Sequence, residues 1–166
     1  LDLMNALLQQ VAKYPLDLGF TSEPSQVMEI VKQGKIACLF GLEGGHTINN
    51  DLDALRMFHE KGVQYLTLTW MNSNDWADSS TDKPNSNGLS KFGIQVIQEM
   101  NWMGMLVDLS HVSDLTANQV FEITTQPVIF SHSCCRALSE DRRNVSDDLL
   151  RKLQKNNGVM GINFYS

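Results

Sequence analysis

The stretch that decides the fold is residues 104–113, GMLVDLSHVS, in which a short apolar run ends in ionisable side chains. The run is Met105-Leu106-Val107, and Asp108 and His111 follow before the chain turns polar. The apolar part has the composition of a buried strand. A buried strand that finishes on an ionisable pair predicts chemistry at the strand end.

Two other stretches have the same pattern. Residues 127–133, PVIFSHS, run from apolar side chains to His132. Residues 36–46, IACLFGLEGGH, end on Glu43 and His46. The pattern therefore belongs to several elements of the chain, and a common architecture has to explain it.

Short apolar runs alternate with helical patterns along the sequence. The runs lack period-2 alternation, which is typical of strands covered on both faces, and they occupy residues 36–43, 64–69, 104–109, 127–131 and 158–165. An opening helix over 1–14 and another around 23–33 precede the first run. Four later helical patterns begin after capping side chains, at Asn49 or Asn50, Ser90, Ser113 and Ser146.

This alternation predicts an α/β fold with a parallel sheet and right-handed crossovers. In such sheets chemistry collects at the carboxyl ends of the strands. Glu43, His111 and His132 are therefore expected to meet on one rim. A carboxylate and two imidazoles suit a catalytic divalent metal such as zinc, although any single strand-end histidine is more often structural. His59, within a helical pattern, is interpreted as structural.

Composition and charge exclude several classes of protein. The chain has 166 residues with 42% hydrophobic side chains, which predicts one core and a single domain over 1–166. The net charge of −6 and the absence of a basic cluster beyond Arg142-Arg143 exclude a nucleic-acid surface. No apolar stretch reaches the roughly 18 residues of a membrane span, and no signal peptide opens the chain.

The three cysteines do not form a disulfide framework. Cys38 lies inside an apolar run, and a bridge between the adjacent Cys134 and Cys135 would be strained. A reducing, cytoplasmic compartment is favoured, and a targeting segment could lie outside this chain.

Four stretches together carry a resemblance to a known family: GLEGGHTI (41–48), YLTLTWMNSNDWADSS (65–80), GLSKFGIQVIQEMNWMGMLVDLSHVS (88–113) and PVIFSHSCCRALSEDRRNVSDDLL (127–150). In this order they resemble the renal (membrane) dipeptidase family of zinc hydrolases, over nearly the whole chain. The resemblance implies a (β/α)₈ barrel with a binuclear zinc centre. It also implies hydrolysis of dipeptides, often with a D-residue at the carboxyl end.

The resemblance implies roles for individual residues. Glu43 corresponds to the carboxylate that bridges both Zn²⁺ ions, and His111 and His132 correspond to the two histidine ligands of one of them. Arg143 matches the arginine that pairs with the free carboxylate of the substrate. Asp108 is then interpreted as a residue that supports the ligands from behind or supports the structure around them.

The sequence also departs from the family pattern. It lacks the His-x-Asp motif upstream of Glu43 and the late aspartate, and Trp70 stands where animal members carry a substrate-contacting histidine. Five strands are counted, whereas a closed barrel needs eight. We therefore expect a partial (β/α)₈ TIM-type barrel of about five parallel strands with outer helices, an internal portion of the family fold.

Three functions are compatible with these features. The first is zinc-dependent dipeptide hydrolysis, in which the 166 residues alone hydrolyse dipeptides negligibly and a longer parent polypeptide is the dipeptidase. The alternatives are a non-catalytic truncated barrel fragment and another amidohydrolase-like metal hydrolase, such as a deaminase or lactonase. The Gly44-Gly45 pair and the RRNV stretch favour the dipeptidase family. A homo-oligomer is possible.

One long polar segment, residues 71–89, follows a predicted strand end. Loops of this length without secondary structure of their own are usually functional or disordered. We expect a substrate-side loop, with Trp76 or Asp78 packed near the site.

Overall fold

A computed structural model describes residues 1–164 of the protein. In chain order the elements are α1 (Asp2–Lys13), β1 (Leu18–Phe20), α2 (Pro24–Lys32), β2 (Ile36–Cys38), β3 (Phe40–Glu43), a 3₁₀ helix (Gly45–Ile48), α3 (Leu52–Glu60), β4 (Val63–Thr67), α4 (Lys91–Met103), β5 (Leu106–Asp108), α5 (Asp114–Ile123), β6 (Ile129–Ser133), α6 (Asp147–Lys155) and β7 (Val159–Ile162). Strands and helices alternate through most of this order, as the sequence predicts.

The main sheet has five strands, in the order β3-β4-β5-β6-β7, and every neighbouring pair is parallel. Because the strands follow one another in chain order, each crossover brings the chain back to the same edge and places the next carboxyl end beside the last. The prediction of about five parallel strands with outer helices is confirmed. Glu43, His111 and His132 lie at the same edge of this sheet.

The first apolar run is divided differently from the prediction. Residues 36–43 were expected to form one strand, but β2 and β3 are separate strands in separate sheets. β2 pairs in parallel with β1, a strand that the sequence pattern does not reveal because it is three residues long with Gly19 at its centre. Residue 165 of the predicted last strand lies outside the described residues.

The helix starts agree with the predicted caps at three of four positions. The predicted serines each accept a hydrogen bond from a backbone N–H in the first turn of α4, α5 and α6, and they are Ser90, Ser113 and Ser146. The prediction for α3 is wrong, because its cap is Asp51, whose side chain accepts a hydrogen bond from the backbone N–H of Asp53. Asn49 and Asn50 instead have φ of +48° and +55°, so they form a left-handed turn before the helix.

The core lies between the sheet and helices α4, α5 and α6, which pack side by side. Val96, Ile97 and Met100 of α4 are fully buried, as is Val120 of α5, and Val107 of β5 is 1% exposed. Side chains of this kind each contribute about 1.5–3 kcal/mol when fully buried. The packing makes the helical layer a rigid support for the carboxyl ends of β4, β5 and β6.

Two further findings concern the residues that the structure describes. None of their helices combines the length and the apolar character needed to cross a bilayer. Cys38, Cys134 and Cys135 are free thiols.

Candidate metal centre

Glu43 is the last residue of β3, and two glycines turn the chain directly after it. The backbone N–H of Gly44 donates to the carbonyl of Thr67 in β4, and Gly44 has a φ of +96°, a conformation that favours glycine. A Cβ on Gly45 would lie 2.2 Å from Cζ2 of Trp76, so this position has no room for a side chain. The glycine pair therefore fixes where β3 ends and where Glu43 stands.

His111 follows β5 and has a strained backbone. Its φ is +72°, in the left-handed region, where a non-glycine residue pays of order 1–2 kcal/mol. Its carbonyl accepts a hydrogen bond of 2.8 Å from the backbone N–H of Ser80, and its side chain is only 7% exposed. The surrounding structure thus holds the imidazole in one direction, towards β6.

His132 lies within β6 and is half-buried. Its backbone N–H donates to Oγ of Ser110 at 3.0 Å, which joins the ends of β5 and β6. Its ring Nδ1 lies 2.7 Å from Oγ of Ser131. One ring nitrogen is therefore engaged by the protein, and the other points across the rim.

The structure brings the three predicted side chains together at one point. Oε1 of Glu43 lies 3.0 Å from Nε2 of His111 and 3.2 Å from Nε2 of His132, and the two Nε2 atoms are 3.0 Å apart. Among residues 1–164, Glu43, His111 and His132 are the only three histidine, cysteine or acidic side chains whose possible ligand atoms all lie within 4.8 Å of one another.

The geometry and chemistry of this triangle fit a divalent ion. Ligands at 2.0–2.1 Å around a tetrahedral ion are about 3.3 Å apart, close to the three separations observed. Whichever ring nitrogens carry hydrogens, three atoms this close cannot all pair as donor and acceptor, so at least one contact sets two lone pairs or two N–H groups against each other and is repulsive without a cation between them. An ion bound by Glu43, His111 and His132 would remove that repulsion.

The charge state of His111 suits this use. Burial, and after it the positive charge of Arg143 and the neighbouring His132, lower its pKa to about 4, while the negative charge of Asp108 opposes them. The ring is therefore neutral at neutral pH and keeps a lone pair for a metal. Its Nδ1 is buried and has no hydrogen-bond partner among the described residues.

Asp108, at the end of β5, ties three strands together beneath the site. It is fully buried and accepts four hydrogen bonds, from Oγ1 of Thr67 at 2.6 Å, Oγ of Ser131 at 2.5 Å, and the backbone N–H groups of Ser131 at 2.9 Å and Ser110 at 3.0 Å. Sequence reasoning identified Asp108 as support but missed the hydroxyl residues around it. The sequence signal that could have indicated them is a hydroxyl residue within or just beyond the end of each of three adjacent strands: Thr67, Ser110 and Ser131.

Arg143 lies beside His132 and is 5% exposed. Its guanidinium donates from Nη2 to the carbonyl of His132 at 2.8 Å and from Nη1 to Oγ of Ser133 at 2.9 Å. Arg136 lies in the same segment between β6 and α6, and its guanidinium donates two hydrogen bonds, of 2.7 and 2.6 Å, to the carboxylate of Asp114 at the start of α5. This pair anchors the segment to α5. The positive charge of Arg143 is thus fixed next to the triangle of Glu43, His111 and His132.

The loop over 71–89 has two buried anchors, Trp76 and Asp78, and an exposed aromatic side chain directly precedes it. Trp76 is 1% exposed and packs edge-on against Phe92 with ring centroids 6.3 Å apart, so it belongs to the core. Asp78 is 1% exposed and accepts hydrogen bonds from three backbone N–H groups of the loop, those of Asn85, Ser86 and Gly88. Trp70 is 49% exposed, just beyond the end of β4.

The remaining histidines lie outside the triangle. His46 is exposed in the 3₁₀ helix after Glu43. Nδ1 of His59 lies 3.3 Å from the carbonyl of Val63, which agrees with a structural role.

Fold and site together define a class of protein: a parallel α/β barrel-type scaffold that gathers a carboxylate and two imidazoles at the carboxyl ends of its strands. The family model for membrane dipeptidases (peptidase family M19) matches residues 1–166. The chain therefore belongs to the membrane dipeptidase family, and the resemblance seen in the sequence is confirmed.

Individual relatives agree with this assignment. Dipeptidase 3 of Mus musculus is 47% identical over 131 residues, covering 76% of this chain and 27% of the relative. Dipeptidase verJ of Clonostachys rogersoniana is 42% identical over 165 residues, covering 99% of this chain and 42% of the relative. The chain thus spans less than half the length of these curated relatives.

Solved structures share the fold. The probable dipeptidase PvdM from Pseudomonas aeruginosa superposes with a TM-score of 0.89 at 29% identity, over 95% of this chain and 41% of that one. A metallo peptidase from Rhodobacter sphaeroides, liganded with a phosphinate mimic of L-Ala-D-Ala, superposes with a TM-score of 0.90 at 23% identity, over 97% and 47% of the two chains. At 23% identity, the likeness to this metallo peptidase shows a shared fold and nothing more.

Proposed function

We propose that this chain provides a metal centre of a metal-dependent dipeptidase, with zinc as its ion and a dipeptide as its substrate. The observation that carries the proposal is the meeting of Glu43, His111 and His132 at 3.0–3.2 Å on the carboxyl edge of the sheet. Membership of the membrane dipeptidase family supports the reaction class. Imidazole and carboxylate ligands support zinc over harder ions such as magnesium.

The roles of the residues follow from their positions. A divalent ion at this site would supply Lewis acidity, lowering the pKa of a water molecule and polarising the peptide carbonyl. Glu43 contributes negative charge to the ion, and the two imidazoles bind as neutral ligands. Arg143 places a guanidinium beside them, which complements the free carboxylate of a dipeptide and would orient its scissile bond towards the ion.

A second ion requires a second set of ligands. Among residues 1–164, Glu43, His111 and His132 form the group with suitable geometry. Two-metal hydrolysis distributes the stabilisation of charge over both ions, and loss of one such contribution costs several kcal/mol in the transition state. We therefore predict negligible turnover by the 166 residues alone, and dipeptidase activity in a polypeptide that contains them at the length of the relatives.

The metal assignment can be tested with single substitutions. Zinc uptake is measured by competition with a chelating dye for the parent, for His111→Ala and for His132→Ala. Both variants should lose tight binding. His59→Ala is the matched control, because it removes an imidazole that lies on α3, and it should bind zinc as the parent does. Unchanged affinity in both site variants would refute the assignment.

The reaction is tested by hydrolysis of L-Ala-D-Ala with added zinc. The longer polypeptide should show metal-dependent turnover that is abolished by Glu43→Gln and retained in Glu60→Gln, an exposed glutamate at the opposite, amino end of β4. Robust turnover by the 166-residue chain that disappears in Glu43→Gln would show that one ligand set is sufficient. Turnover in the longer polypeptide that survives Glu43→Gln would contradict the proposed site.

A further inference from the structure

Ser131 stands between a buried carboxylate and a ring nitrogen of His132. Its Oγ lies 2.5 Å from Oδ2 of Asp108 and 2.7 Å from Nδ1 of His132. Asp108 is fully buried and is held in place by three further donors, the hydroxyl of Thr67 and two backbone N–H groups. The three groups thus form a chain that runs from Asp108 through Ser131 to the imidazole.

The hydrogen atoms of this chain can be assigned from donor and acceptor capacity. A carboxylate accepts hydrogen bonds and cannot donate them, so the single hydroxyl hydrogen of Ser131 goes to Asp108. The Ser131 oxygen then offers a lone pair to His132, and Nδ1 of His132 must be the donor. In a neutral imidazole with a hydrogen on Nδ1, Nε2 has none. Nε2 is the atom that faces Glu43 and His111.

We propose that Ser131 is a positioning residue that relays the charge of Asp108 to His132 and fixes the ring in the tautomer whose Nε2 can bind a metal. The expected effect on zinc binding rests on the proposed function. The assignment of the tautomer rests only on the contacts among Asp108, Ser131 and His132. A hydrogen bond to the distal nitrogen of a ligating histidine fixes its orientation and raises its basicity. Here the carboxylate of Asp108 does not bond to the ring directly, and the hydroxyl of Ser131 links the two.

The two histidines of the site differ in this respect, which provides an internal comparison. Nδ1 of His111 has no hydrogen-bond partner among the described residues, and the direction of its ring is set by its left-handed backbone and by burial. Loss of the Ser131 hydroxyl should therefore change the tautomer of His132 and leave that of His111 unchanged.

The tautomer is measured on the zinc-free protein labelled with ¹⁵N in its histidines, by long-range ¹H–¹⁵N correlation at a pH above the ordinary titration range of imidazole. In the parent, His132 should show a protonated Nδ1 and an unprotonated Nε2. Ser131→Ala should give His132 a mixture of both tautomers, and Ser131→Thr, which keeps the hydroxyl, should restore the parent pattern. A protonated Nε2 in the parent, or an unchanged tautomer in Ser131→Ala, would overturn the proposal.

Zinc affinity provides the second measurement. Ser131→Ala should bind zinc about 10- to 100-fold more weakly than the parent, as is usual when an outer hydrogen-bond partner of a ligand is removed. Ser131→Thr should recover most of that affinity. Ser133→Ala is the matched control, since it removes a buried hydroxyl from the same strand that bonds to Arg143 and not to His132, and it should retain the parent affinity.

The two proposals can fail separately. A parent protein that does not bind zinc, but in which the His132 tautomer depends on Ser131, would refute the proposed function and support the relay. A parent that binds zinc equally well with and without the Ser131 hydroxyl would support the function and overturn the positioning role.

Discussion

Replacing Asp108 by alanine should be the most destabilising single change beneath the site. The side chain is fully buried and accepts from two hydroxyls and from two backbone N–H groups, those of Ser110 and Ser131. The hydroxyls of Thr67 and Ser131 can rotate towards other acceptors. The two backbone N–H groups are fixed in the turn after β5 and in β6 and cannot, so they lose their partners inside the protein.

The magnitude follows from those two groups. An unsatisfied buried donor costs about 1–3 kcal/mol, which gives about 4 kcal/mol for the pair at the middle of the range. For a chain of this length each kcal/mol lowers the melting temperature by about 2–4 °C, so the expected loss is about 8–16 °C. Asp108→Asn keeps one acceptor oxygen and the shape of the side chain, and it should cost less.

The measurement is urea unfolding of the zinc-free protein, followed by circular dichroism. Asp17→Ala is the matched control, because Asp17 is exposed between α1 and β1, and a change there should stay within about 0.5 kcal/mol. If Asp108→Ala lowers the free energy of unfolding by no more than the control does, the reasoning that Asp108 ties the strand ends together is refuted.

Three further changes test other parts of the structure by the same unfolding assay. Gly45→Ala places a Cβ 2.2 Å from Cζ2 of Trp76 and 2.5 Å from the carbonyl oxygen of Leu68, and should cost about 1–3 kcal/mol; a neutral effect would contradict the close packing. Ser113→Ala removes the cap of α5 and should cost about 1 kcal/mol, and no loss would show that the cap is unimportant. The pKa of His111 is lowered to about 4, against about 6.5 in the unfolded chain, so the unfolded state binds more protons between these values. Stability of the zinc-free protein should therefore fall as the pH is lowered from about 6.5 to 4, and His111→Asn should flatten that slope; a parallel slope would exclude His111 as its source.

The sheet and the meeting of the site residues could be predicted from the sequence for a simple reason. Apolar runs without alternation indicate buried parallel strands, and parallel strands in sequential order share one carboxyl edge. Glu43, His111 and His132 each stand at or just beyond the end of such a run. That geometry brings side chains of suitable length to one edge of the sheet, where their ligand-type atoms lie about 3 Å apart.

Other features were hidden because they depend on tertiary contacts. Trp76 was expected to pack near the site, but the sequence does not show how: its ring fills space that Gly45, two residues after Glu43, leaves open. The left-handed backbone of His111 gives no sequence signal, since residues other than glycine seldom adopt it. Ser131 resembles any polar residue in a strand until its position between Asp108 and His132 is known.

The most direct test of the account is where zinc binds. Crystals of the protein grown with zinc, with anomalous diffraction recorded at the zinc edge, should show an ion at roughly 2.0–2.2 Å from a Glu43 carboxylate oxygen and from Nε2 of both His111 and His132. Zinc bound elsewhere on the chain, or coordinated by only one of these three side chains, would contradict the metal centre proposed for the carboxyl edge of the sheet.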